Sequence, residues 1–210
     1  MRHGPAFLLR TGAAAVAAAT LLTASTSARN GPLALGTARV TIAGTSNIHD
    51  YTASTTAIRL TRVQLSATPA GPDLLDIAMK PGVVEAFEIS IPAASLASKK
   101  DGLDKNMHAA LKAAEHPDIT FKLLRFEDRP APATGQRAIG VLRVAGVDRQ
   151  VTIDIATERK GGALLVKGTL ALLMTDFRIA PPKAMMGMLK TDPKVTITFE
   201  AAVASTLTWP

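Results

Sequence analysis

The sequence predicts an all-β protein of about eight antiparallel strands, closed into a barrel or folded as a sandwich, with a single helix among them. Two observations carry this prediction. Apolar and polar residues alternate in segment after segment, which marks strands with one buried face and one wet face. Turn residues recur too often to leave room for crossover helices, so consecutive strands run antiparallel.

The strands follow in order. Val40 and Ile42 alternate with Arg39 and Thr41. Ile58 and Leu60 alternate with Arg59 and Thr61, and then Val63 and Leu65 shift phase by one residue, as a β-bulge would require. Phe87, Ile89 and Ile91 bracket Glu88 and Ser90, and Ile119, Phe121 and Leu123 bracket Thr120 and Lys122. The same pattern recurs in Val151, Ile153 and Ile155, and again in Val195, Ile197 and Phe199. Residues 138–144 and 164–174 are apolar on both faces, so their outer faces are expected to be covered, with 164–174 as a homodimer contact.

One helix interrupts this series. Leu103, Met107 and Leu111 recur every fourth residue and form one face, Asp101 or Asp104 is expected to cap the start, and Pro117 to stop it. A second short helical turn is expected at 183–189.

Residues 1–28 read as a secretory signal peptide. Arg2, His3 and Arg10 form a weakly basic start, an Ala/Leu/Val run follows from Ala13 to Leu22, and small residues end at Ala28. The run is shorter than the ~20 residues a membrane-spanning helix needs. The mature organisation is then a short leader at 29–39 and one domain at 40–210, exported to the periplasm or secreted, with no integral membrane span.

The formal net charge is +7, and removing Arg2 and Arg10 with the signal leaves +5. The remaining cations are scattered among Asp and Glu with no basic stripe, and aromatic residues are few, so no nucleic-acid partner is expected. Cysteine is absent, which excludes disulfides, thiolate metal sites and a cysteine nucleophile.

Catalytic vocabulary is missing as well. There is no HExxH, no GxSxG elbow and no phosphate-binding glycine loop. His49, His108 and His116 show no metal-ligand spacing. Ser46, His49 and Asp50 lie close in sequence, but a triad is defined by geometry, and such residues at a strand end more often satisfy backbone groups. No catalytic residue, metal or cofactor is expected. The mature chain has few large aromatics and many Ala, Val and Gly, and small interior residues leave volume that apolar walls would offer to a hydrocarbon chain.

Four stretches in order resemble the YceI-like family. They are VTIAGTSNIHDY at 40–51, the helix-to-strand run at 107–121 with His108, His116-Pro117 and Ile119-Thr120-Phe121, GVLRVAGVDRQV at 140–151, and LMTDFRIAPP at 173–182. The resemblance implies an extended eight-stranded antiparallel β-barrel, lipocalin-like in outline, with one α-helix packed at its side. It further implies a non-catalytic secreted protein that encloses a polyisoprenoid or other long apolar lipid. Phe121, Leu142, Leu172 and Phe177 are the expected apolar lining, Met185, Met186 and Met188 a flexible lid, and His49 and Tyr51 the contacts to a polar headgroup. The alternative is a filled barrel with no lipid, acting as a structural or interaction protein.

Overall fold

The structure, a computed structural model, describes residues 31–66, 73–133, 135–184 and 188–206. The signal segment, Met185 and Met186 lie outside the described residues.

Among the described residues ten strands form, with two short α-helices between them. They are β1 (Leu33–Ser46), β2 (Tyr51–Thr55), β3 (Arg59–Leu65), α1 (Leu74–Ala78), β4 (Val84–Pro92), α2 (Asp101–Ala110), β5 (Asp118–Asp128), β6 (Gln136–Val144), β7 (Val147–Lys160), β8 (Ala163–Leu173), β9 (Lys183–Ala184) and β10 (Leu189–Ser205). Nine of the strands make one antiparallel path, β2-β1-β10-β8-β7-β6-β5-β4-β3, with β9 paired to β10. The strand count exceeds the expected eight because β2 and the two-residue β9 are too short to show a period.

The topology dictates the shape. The two edges of the path, β2 and β3, are consecutive in the chain and only three residues apart, so the sheet must curl strongly to bring them near each other. Neither edge is left bare. Ser54 of β2 exchanges two backbone hydrogen bonds with Ala97, at 2.8 and 3.0 Å. Gly31 sits so close to Val63 of β3 that a β-carbon on it would lie 2.3 Å from the valine side chain. The result is a strongly curled half-barrel.

The phase shift at 60–63 is a true register break, between Leu60 and Arg62. β1 begins at Leu33, inside the expected 29–39 leader, and pairs there with the end of β10. The helix expected from Leu103, Met107 and Leu111 is α2, but its ends differ. Lys100 is the N-cap, Asp104 reaches back to accept the Ser98 N–H at 2.8 Å, and the helix closes at Leu111 before Lys112 turns left-handed at φ 51°. Pro117 therefore plays no part in stopping it. The helical turn expected at 183–189 is overturned. Lys183 and Ala184 pair with Lys190 and Leu189 as a β-hairpin.

β8 is not apolar on both faces. Leu164, Val166, Leu170 and Leu172 border the interior, while Lys167, Thr169 and Ala171 are exposed on the outside. The strand lies between β10 and β7 and offers no free edge.

Candidate lipid-binding cavity

The buried apolar residues form three clusters rather than one contiguous core. At one end α1 packs Leu74, Leu75 and Ala78 against Leu33 and Leu164. Along one wall Leu123, Ala138, Ile153 and Ile155 pack together from β5, β6 and β7. At the other end Leu96, Leu111, Ile119, Leu142 and Phe177 gather beneath α2.

Between the clusters lies a cavity of about 470 Å³. It borders Leu33 and Leu75 near α1, Phe121 and Ile153 at mid-length, and Tyr51 and Phe177 at the far end. That volume falls within the roughly 300–1,000 Å³ typical of small-molecule sites. Its wall is overwhelmingly aliphatic and aromatic.

Three inward-facing glycines help to keep the lumen open. An ideal β-carbon on Gly44 would lie 2.2 Å from the Tyr51 hydroxyl oxygen, and ideal β-carbons on Gly140 and Gly168 would lie 2.4 Å from ring atoms of Phe121 and Phe199. Each aromatic side chain therefore occupies space that any residue but glycine would fill. All three rings border the cavity.

Most of the polar groups on the cavity lie toward the α2 end, where Ser46, His49, Tyr51, Lys100, Asn106 and Thr191 border it; Arg39 and Glu200, opposite each other on β1 and β10, border it as well. His49, Lys100 and Asn106 are exposed, so the cavity meets solvent at this end. Tyr51 is half-buried, and its hydroxyl, fully shielded, has no hydrogen-bond partner among the described residues. Burial, and secondarily the nearby Asp192 carboxylate, raises its pKa, so the group stays a neutral phenol.

Ser46 does not serve a nucleophilic arrangement. Its Oγ donates to the His49 carbonyl at 2.7 Å and accepts the Ile48 and His49 N–H groups at 3.3 and 3.1 Å, closing the turn. His108 is also structural, with Nε2 2.8 Å from the Leu96 carbonyl, tying α2 to the cavity wall. Among the described residues no group of three His, Asp or Glu side chains could hold a metal.

The cavity thus brings together Phe121, Leu142, Leu172, Phe177, His49 and Tyr51. Met188 is not on its wall; it is 65% exposed in the β9–β10 turn. Sequence reasoning missed Lys100 and Asn106, which reach the cavity from α2, and the glycines beneath the rings. The Gly/aromatic spacing across paired strands was the signal that could have found the latter.

A second concavity, on the outer face, is bordered by Arg39, Arg129, Asp154, Lys167 and Glu200. Four of its charges pair, Arg129 with Asp154 at 3.5 Å and Lys167 with Glu200 at 3.7 Å, and Arg39 donates to the Ser54 hydroxyl at 3.3 Å.

Fold and cavity together define a class: a curled antiparallel β-sheet wrapped around an apolar lumen. The chain belongs to the YceI-like family, whose domain model matches residues 44–203. No curated protein matches it in sequence. Among solved structures it is similar to Burkholderia cenocepacia BcnA, with 15% identity over 80% of this chain and 96% of that one, at a TM-score of 0.59. It is similar also to a polyisoprenoid binding domain from Saccharophagus degradans, with 12% identity over 83% and 98% of the two chains and a TM-score of 0.58. A mutant of the Campylobacter jejuni YceI protein matches with 14% identity over 72% and 85%, at 0.51. At such identities the likeness is one of fold. Among the described residues no helix is long and apolar enough to cross a membrane.

Proposed function

We propose that this protein is a non-catalytic carrier that encloses a long apolar lipid chain, a polyisoprenoid or a fatty chain, in its lumen. The observation that carries the reading is the cavity itself, an apolar space running from α1 to α2 with most of its polar residues toward the α2 end. The polyisoprenoid binding domain among its structural neighbours supports the same class of ligand.

Phe121, Leu142, Leu172 and Phe177 line the chain in this reading. Tyr51 and His49 meet the polar head. Each 100 Å² of lipid surface removed from water contributes about 2.5 kcal/mol, enough for tight binding after the cost of association. The leader at 1–28 exports the protein to the periplasm, where a free lipid needs a carrier.

Thermal unfolding with and without added lipid tests the reading. A bound lipid raises Tm by mass action, by an amount that grows with lipid concentration. A Tm indifferent to prenols and fatty acids alike would remove the carrier reading.

A further inference from the structure

The end of the barrel where the cavity meets solvent carries an apolar tip that the interior does not use. The described residues include four large apolar side chains that are strongly exposed: Ile48 (56%), Leu124 (49%), Leu173 (42%) and Met188 (65%). Three of them sit at the α2 end. Ile48 lies in the β1–β2 turn, between the cavity-bordering Ser46 and His49. Met188 lies in the β9–β10 turn, between the cavity-bordering Pro182 and Thr191. Leu173 ends β8 at the same level, opposite Lys194.

The two turns are fastened together. The Asn47 side chain donates to the Met188 carbonyl at 2.8 Å and accepts the Lys190 N–H at 2.7 Å, and the Asn47 N–H donates to the Lys190 carbonyl at 3.1 Å. The turns that expose Ile48 and Met188 to water are thus joined by a polar staple at Asn47. Apolar side chains presented in this way on a firm tip mark a contact surface.

Charge gives the surface a sign. Lys99, Lys100, Lys190 and Lys194 are exposed around the tip, with Asp50, Asp101 and Asp192 among them. Asp192 accepts the Lys194 N–H on its own bend at 2.7 Å. Long lysine stems can lie along an apolar boundary while their ammonium groups stay with anionic headgroups.

We propose that this lip docks on a phospholipid bilayer, with Ile48 and Met188 inserted at the headgroup–acyl boundary and the lysines beside the phosphates. The docked molecule holds its cavity mouth against the bilayer, so an apolar cargo passes between membrane and lumen without crossing water. This rests on the carrier reading for its purpose, and its test is separate from that of the carrier reading. Apolar insertion supplies most of the attachment, and the near balance of lysine and aspartate makes the anionic contribution small.

Flotation with vesicles of phosphatidylcholine alone and of phosphatidylcholine with phosphatidylglycerol tests the proposal on the mature protein. The wild type is expected to float with both, somewhat more with the anionic mixture, and to stay bound in high salt. The double variant I48S/M188S is expected to lose at least tenfold in bound fraction while keeping its Tm and any lipid it carries. Leu124→Ser, in the middle of β5 and away from the lip, is expected to float as the wild type does. Equal loss with Leu124→Ser, or no flotation of a wild type that carries lipid, overturns the docking and leaves the carrier reading standing. If I48S/M188S instead converts a dimer to a monomer by light scattering, the lip is a self-association surface and the proposal falls. A wild type that floats but never carries lipid keeps the docking and removes the carrier reading.

Discussion

The ring of Phe121 lies where a β-carbon on Gly140 would be, with ring atoms 2.4 Å from that position. The two residues face each other diagonally across β5 and β6, where Leu123 is the direct partner of Gly140. The same ideal β-carbon would stand 2.6 Å from the Lys122 carbonyl oxygen. Glycine here lets the strands bend and lets an aromatic side chain fold back onto the wall. Repeated at Gly44 with Tyr51 and Gly168 with Phe199, this arrangement explains how a lumen survives in a barrel that its own side chains could otherwise fill.

Gly140→Ala is therefore expected to destabilise the fold by about 1–3 kcal/mol, because the ring can shift but the Lys122 carbonyl cannot. That corresponds to about 2–4 °C in Tm for each kcal/mol. The control is Gly162→Ala, where the added methyl meets nothing within 4 Å. It is expected to be neutral or slightly stabilising through the unfolded chain. Equal effects at the two sites would contradict the assignment.

Leu172→Trp adds bulk to a wall that borders empty space. In a filled core such an insertion costs about 1–3 kcal/mol through strain. Here Tm is expected to change little while lipid uptake falls, because the indole occupies the lumen. A large loss of Tm with no change in uptake would show that Leu172 packs in a closed core.

Tyr51 is the only tyrosine, so tyrosinate absorbance reports it alone. Its ionisation midpoint is expected above the ordinary 10.0, chiefly from burial and secondarily from Asp192. Asp192→Asn should lower the midpoint only in part, and lipid loading should raise it further. The folded state favours the neutral phenol, so this contribution to stability is complete below the unfolded value. It is lost as pH rises through the folded one. A midpoint at or below 10.0 would place the hydroxyl in water.

Asn47→Ala removes the side-chain bonds to Met188 and Lys190. These are exposed, and the expected cost is about 1 kcal/mol or less. The local effect should be larger than the global one, with the Lys190 amide exchanging faster with solvent while core amides keep their protection. Unchanged exchange at Lys190 would mean that the two turns do not depend on each other.

Much of the wall was legible in the chain. Period-two alternation placed Phe87, Ile89, Ile119, Phe121, Leu123, Ile153 and Ile155 on one face, and all seven border the cavity. The phase slip at 60–63 marked a real bulge. What escaped was short or three-dimensional. α1 has only five residues, too few for a helical period, yet it closes one end of the lumen. β2 reads YTAST, with one buried apolar residue, Ala53. Lys183 and Ala184, expected in a helical turn, pair instead with Lys190 and Leu189, and Lys190 is held by Asn47, well over a hundred positions away in sequence. Whether inward side chains fill a barrel or line a space depends on curvature, and alternation carries no trace of it.

Native mass spectrometry of the exported, detergent-free mature protein, followed by solvent extraction, reads out whether the lumen holds a lipid. The expected result is a bound species of several hundred daltons that extracts as a lipid, and that is lost or reduced in Leu172→Trp. A bare protein mass, unchanged after incubation with isoprenoid and fatty-acid mixtures, would contradict the carrier reading.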